Sequence, residues 1–204
     1  MNPERTIGIV DDDEALRDAL SWLFSTRNHP VRTFADAESF LAAWQPEDFG
    51  CVLMDVRMPG MSGFEAFARL KEAPYCPPVI FLTGHGDVPM AVAALKQGAA
   101  DFVEKPFSDN DIVDLVERCL TEDAERRRSW QARETTQARL DLLTPREREV
   151  LKLILVGRLN KQIADDLSIS MKTVEVHRSR ALEKMQVKTA IELAALLREA
   201  GIEA

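Results

Sequence analysis

Asp11, Asp12 and Asp13 follow the apolar run "TIGIV", and Asp55 closes the run "CVLM". Thr83 and Gly84 end a third such run, "PVIFL", and Lys105 follows a fourth, "DFV". A carboxylate placed against an apolar segment needs compensation, because an unpaired charge is costly to remove from water. Gathered on one rim, at least three carboxylates, a hydroxyl and an ammonium suit phosphoryl transfer to a carboxylate. Clustered carboxylates repel one another unless a hard cation lies among them, and Mg²⁺ prefers such oxygen ligands. The cation and Lys105 would neutralise an incoming phosphoryl group, Thr83 would bind one of its oxygens, and Gly84 would leave it room. Asp55, the central carboxylate, is then the nucleophile. Taken singly these residues say little: a "DDDE" run is by itself usually a helix N-cap with an acidic first turn, which Asp13 and Glu14 fit, and Thr83 alone is more often a strand-end hydroxyl. Their joint placement is the signal.

Positioning them requires a parallel sheet. Residues 6–120 alternate short β-rich apolar runs (6–10, 31–34, 51–54, 78–82, 101–103) with helical patterns near 13–27, 36–44, 63–72 and 88–97, and a fifth helix starts near 109. Strands apolar throughout are buried on both faces, as in a sheet with crossover helices. Five βα units in this length predict a doubly wound, flavodoxin-like α/β fold, whose ligands gather at the carboxyl ends of the strands.

Beyond 120 the pattern changes. The segment "RCLTEDAERRRSWQARETTQARLDLL" has no Pro or Gly and is rich in helix formers, which predicts a helical linker over 121–140 that prolongs the fifth helix. From 141 to 204 the chain reads as short helices. Thr144-Pro145-Arg146-Glu147 is a capping box with Pro at the first helical position. "NKQIADDL", the connection "SIS" and "MKTVEVHRSRALEKM" have helix-turn-helix spacing, with Ser170 as the second helix's N-cap. Ile163, Ala164, Leu167, Val174, Ala181 and Met185 form the inward faces. The opposite face carries Lys172, Thr173, Glu175, Val176 and Ser179, flanked by Arg178, Arg180 and Lys184. Such a helix suits a major groove, with cations on phosphates and shorter side chains on base edges. His177 has no second His or Cys at ligand spacing, so it reads as a packing or phosphate-contact residue and not as a metal ligand.

The totals bound the partners. The 204 residues carry a net charge of −8, with 46% hydrophobic and 29% charged residues, the composition of a soluble globular protein. Residues 1–120 hold 10 Lys+Arg against 20 Asp+Glu, whereas 141–204 hold 11 against 10. An acidic front and a near-neutral back suggest two modules with different partners. Neither a membrane span nor a signal peptide is visible, so the expected compartment is cytoplasmic. Cys51, Cys76 and Cys119 are odd in number and far apart, and read as reduced thiols.

The stretches "IVDDDEALRDAL", "LMDVRMPGMSGFE" and "FLTGHGDVPMAVAALKQGAADFVEKPF", with the helical tail "LTPREREVL", "NKQIA" and "KTVEVHRSRALEKM", resemble a two-domain response regulator. The resemblance is to the FixJ branch of the NarL/LuxR-type transcription factors, which are not enzymes. It implies a receiver over 1–120, a linker over 121–140 and a LuxR-type DNA-binding domain over 141–204. It implies that Asp55 accepts phosphate from a histidine kinase. Asp12, Asp55 and the main-chain carbonyl of Arg57 would hold Mg²⁺, with Asp11 nearby through water, while Thr83 and Lys105 bind phosphoryl oxygens. Phe102 matches the family's switch aromatic; lacking a hydroxyl, it would swing under packing alone. Arg57 and His85 match positions that tune phosphate lifetime. The implied partners are double-stranded operator DNA, RNA polymerase and a second copy of the chain, as a homodimer formed on phosphorylation.

Two other classes compete. A haloacid-dehalogenase-type hydrolase needs a carboxylate two residues after the nucleophile, where this chain has Arg57. A constitutive DNA-binding protein with a receiver as mere interaction module remains the second reading.

Overall fold

The structure, a computed structural model, describes residues 5–46, 48–84 and 88–202, and of Val88 only the backbone. It divides into two compact units, 1–125 and 126–204. In the first, strands and helices alternate: β1 (Thr6–Val10), α1 (Glu14–Ser25), β2 (Val31–Phe34), α2 (Ala37–Ala43), β3 (Phe49–Asp55), α3 (Gly63–Leu70), β4 (Val79–Thr83), α4 (Val88–Lys96) and β5 (Asp101–Glu104). α5 follows as one helix from Asp109 to Asp141. All strand pairs are parallel, in the order β2-β1-β3-β4-β5.

Strand alternation builds two cores. Val52 and Met54 on β3 face one layer with Phe40, Phe67 and Phe81, while Cys51 and Leu53 face the other with Ile7, Ile9, Phe24 and Val116. Each side chain points opposite to its neighbour, so a strand buried on both faces reads as a continuous apolar run. β3 and β4 are buried at every residue, whereas the edge strands β2 and β5 are only partly covered. Helix starts follow their caps: Asp13 accepts from the amides of Ala15 and Leu16 at the head of α1, and Ser62 with Glu65 forms a capping box on α3.

The second unit is helical beyond α5: α6 (Pro145–Leu155), α7 (Asn160–Leu167), α8 (Met171–Lys184) and α9 (Ala190–Glu199). Thr144 and Glu147 form the capping box that opens α6. Val150, Ile154, Ile163, Ala164 and Val174 make one small core, and Leu151, Ala181, Met185, Leu193 and Leu197 make another. No helix among the described residues is long and apolar enough to cross a membrane.

Candidate functional site

In a sheet of order 2-1-3-4-5, the direction in which successive strands are added reverses between β1 and β3, and a crevice opens at their carboxyl ends. Asp11, just past β1, and Asp55, the last residue of β3, flank that crevice. Asp11 is fully buried and Asp55 is 6% exposed. The Lys105 ammonium, carried past β5, stands 2.6 Å from Asp11 Oδ2 and 2.6 Å from Asp55 Oδ1. Asp55 Oδ2 accepts the Arg57 amide at 2.6 Å, and Asp11 Oδ1 accepts the Asp13 amide at 3.0 Å. Arg17 donates to the Asp11 carbonyl at 2.7 Å, tying α1 to the rim.

Two carboxylates thus share one ammonium. Burial pushes the Asp55 carboxyl above the ordinary aspartate range and Asp11 adds repulsion, with Lys105 offsetting part of both. Lys105 is moved up: burial disfavours its charge, but the hydrogen bonds to Asp11 and Asp55 outweigh that.

Thr83 is buried at the end of β4, and its carbonyl accepts the Lys105 amide at 2.7 Å. A Cβ at Gly84 would meet nothing within 4 Å among the described residues. Gly63 is where glycine is required: a Cβ there would lie 2.2 Å from the Asp55 carbonyl oxygen. α3 can therefore begin directly against the backbone of Asp55. Phe102 pairs with Phe81 across β4 and β5 and packs, half-buried, on the first core. Asp12 is exposed beside the crevice, and Asp13 serves as the α1 cap. His85 lies outside the described residues.

The donor set fits a hard divalent cation. Asp11 and Asp55 carry two negative charges against one lysine, with Asp12 adjacent, and carboxylate and carbonyl oxygens are the ligands Mg²⁺ takes. No cluster of three metal-binding side chains closes on one point among the described residues, so such an ion would also draw on main-chain and water oxygens.

In the second unit, α7 ends at Ser168 in the left-handed region (φ 53°), and Ser170 caps α8 through the Thr173 amide. Val174, Ala181 and Met185 are buried, which turns Lys172, Glu175, Val176, Ser179 and Arg180 outward. Other predicted contacts are engaged within the unit. Thr173 Oγ1 lies 2.8 Å from Ser170 Oγ, and Arg178 donates to Asn160 Oδ1 at 3.3 Å. Lys184 donates to Glu147 Oε2 at 2.6 Å and to the Leu142 carbonyl at 3.1 Å. His177 is partly buried, and its Nδ1 has no hydrogen-bond partner among the described residues.

Comparison with known proteins gives the family. Residues 7–117 match the response regulator receiver domain, and residues 141–197 match the bacterial regulatory proteins of the luxR family. The chain is a two-domain response regulator of the FixJ/LuxR type. The C4-dicarboxylate transport transcriptional regulatory protein DctR of Rhodobacter capsulatus is 51% identical to it over 191 residues, 93% of this chain and 97% of that protein. The transcriptional regulatory protein FixJ of Bradyrhizobium diazoefficiens is 40% identical over 204 residues, 99% and 98% of the two chains. Among solved structures, the response regulator StyR superposes with a TM-score of 0.86 at 39% identity, over 96% of this chain and 99% of its own. Full-length FixJ from B. japonicum gives 0.57 at 40% identity, over 98% and 99%.

As a response regulator the protein has a histidine kinase and DNA as its implied partners, and receiver domains bind Mg²⁺ at their phosphorylation site. Its relatives are transcriptional regulators, which leaves the hydrolase class without support. Three participants escaped the sequence reading. Arg17 and Glu38 reach the rim from helices where they look like ordinary surface charges, and Glu147 looked like a cap and nothing more.

Proposed function

We propose that this response regulator accepts a phosphoryl group on Asp55 from a histidine kinase and thereby becomes a dimeric, operator-binding transcription factor. The observation that carries the proposal is the Lys105 ammonium placed 2.6 Å from both Asp11 and Asp55 at the β1/β3 crevice. In the transfer, an Asp55 carboxylate oxygen forms a bond to phosphorus as the phosphorus–nitrogen bond to the kinase histidine breaks. The electron pair leaves with the imidazole, which then takes a proton from solvent. Lys105, held by Asp11, is placed to shift from Asp55 Oδ1 to a phosphoryl oxygen. Asp12, Asp55 and the Arg57 carbonyl would hold Mg²⁺, with Asp11 behind them, and the bound ion would neutralise charge on the phosphoryl oxygens. Thr83 would close on the phosphoryl group, and Phe102 would follow through its packing. Gly84 would border the open approach.

The division of labour is a receiver over 1–120, a helical linker over 121–140 and a DNA-binding domain over 141–204, acting in the cytoplasm. Lys172 and Arg180, exposed at the two sides of α8, would meet phosphates, while Glu175, Val176 and Ser179 would face base edges. Thr173, His177, Arg178 and Lys184 would act behind them by fixing the helix. Two recognition helices on an inverted repeat require a dimer, with RNA polymerase as the downstream partner.

Sedimentation tests this, using an inverted-repeat duplex selected from a random pool by the phosphorylated chain. Two protein copies per duplex after acetyl phosphate treatment, and none with Asp55→Asn, is the expected result. A phosphorylated chain that stays monomeric on DNA would remove the dimer. Equal binding by Asp55→Asn would favour constitutive DNA binding instead.

A further inference from the structure

The loop from Val56 to Ser62 joins the end of β3 to α3 and carries Arg57. Its ends are pinned by its own surroundings: the Val56 amide donates to the Leu82 carbonyl at 3.0 Å, and the Gly63 amide donates to the Val56 carbonyl at 3.1 Å. Near the start, the Arg57 amide is held by Asp55 Oδ2. The tip, Pro59-Gly60, is exposed, and a loop tip of this kind needs an outside anchor to keep one shape.

That anchor comes from α2. Asp36 caps α2 through the Ser39 amide, so the helix start is satisfied without Glu38. The Glu38 carboxylate instead reaches the loop, where Oε1 accepts the Met61 amide at 2.9 Å. Gly60 is shaped to the same contact. Its φ of +81° suits glycine, and a Cβ there would lie 2.7 Å from Glu38 Oε1. Two separate features, a hydrogen bond between elements and a glycine that makes way for it, converge on one carboxylate.

We infer that Glu38 is a positioning residue for the phosphorylation site: it clamps the loop tip and so fixes where the Arg57 main chain stands relative to Asp55. The inference rests on the proposal that Asp55 and the Arg57 carbonyl share a divalent cation. Asp55 holds the loop at its base and Glu38 holds it at its tip. Releasing the tip loosens the one predicted metal ligand that is not a carboxylate. An outer contact of this kind acts on metal affinity without touching the metal. A plain helix-start role for Glu38, in which its charge only complements the α2 dipole, would affect stability and not the metal.

The test is calorimetric titration of the full chain with MgCl₂, in wild type, Glu38→Ala and Glu38→Gln, each first shown to be folded by circular dichroism. Glu38→Ala is expected to weaken Mg²⁺ binding by on the order of tenfold. Glu38→Gln loses the charge but keeps an acceptor oxygen, and should stay within about twofold of wild type. Wild-type affinity in Glu38→Ala would overturn the clamp and leave the Asp55 reading intact. Equal losses in both variants would assign the effect to charge and also overturn it. A wild-type chain that takes up neither Mg²⁺ nor a phosphoryl group would defeat the Asp55 reading itself, and the clamp with it.

Discussion

Each unit buries a carboxylate against a lysine at 2.6 Å, and the two pairs behave oppositely. In the receiver, Lys105 serves both Asp11 and Asp55, so the cluster is one positive charge short and the Asp55 carboxyl is held above its ordinary range by burial. In the second unit, Lys184 pairs with one carboxylate among the described residues, Glu147. Burial works against the Glu147 charge, but Lys184 and the Thr144 cap together pull that carboxyl below the ordinary glutamate range. The same two charged groups, a carboxylate and an ammonium, thus make an under-compensated site in one place and a staple between α6 and α8 in the other. Deeper desolvation and a second carboxylate on the lysine, and not the pairing distance, separate the raised carboxyl from the lowered one.

Removing each lysine should therefore have different consequences. Lys105→Met is expected to slow phosphoryl uptake from acetyl phosphate by on the order of a hundredfold, the usual cost of losing one donor to a transition-state oxyanion. The rate of mass gain measures it. Lys184→Met should leave that rate unchanged. It should instead destabilise the second unit by about 1–2 kcal/mol, a value lowered for the lysine's partial exposure. Faster hydrogen exchange across α6 and α8 would show the loss. A variant that moved both properties together would erase the distinction between the pairs.

Titration sharpens the contrast. Because the folded-state pKa of Asp55 is raised, its charge costs stability above that pKa, and the cost disappears as pH falls below the unfolded value. Asp55→Asn should thus stabilise the receiver by about 1 kcal/mol at pH 7 and by little in acid. Glu147 has the opposite sign. Its lowered pKa contributes stability that is present above the unfolded value and lost as pH falls through the folded one. Denaturant melts of wild type, Asp55→Asn and Glu147→Gln against pH should show the two differences shrinking from opposite signs.

The smallest effects belong on the outer face of α8. Lys172→Ala and Arg180→Ala should each weaken operator binding at all sequences alike. Each should lower the salt-dependence slope by about one. Ser179→Ala, directed at base edges, should alter sequence preference and leave the slope alone. Fluorescence anisotropy over a salt series measures all three.

Much of this was legible in the chain. β3 and β4 announce themselves because burial on both faces leaves no polar position to break the run. Asp11, Asp55 and Lys105 were readable because each follows such a run, and a parallel sheet brings the ends of its strands together. The inward face of α8 follows the helical period, so Val174, Ala181 and Met185 were found before the fold was known. The contacts that were not legible share a cause. Glu38, Arg17 and Lys184 lie on helix surfaces where spacing marks a residue as outward and says nothing of its partner. Long side chains choose partners across elements, and only the packed fold shows that Lys184 turns to Glu147 and Glu38 to Met61.

The most direct test is the intact mass of wild type and Asp55→Asn after incubation with acetyl phosphate and Mg²⁺. One added phosphoryl group in wild type and none in the variant is the expected result. Equal addition to both would place the acceptor elsewhere, and no addition to either would contradict Asp55 as the residue on which the signal is written.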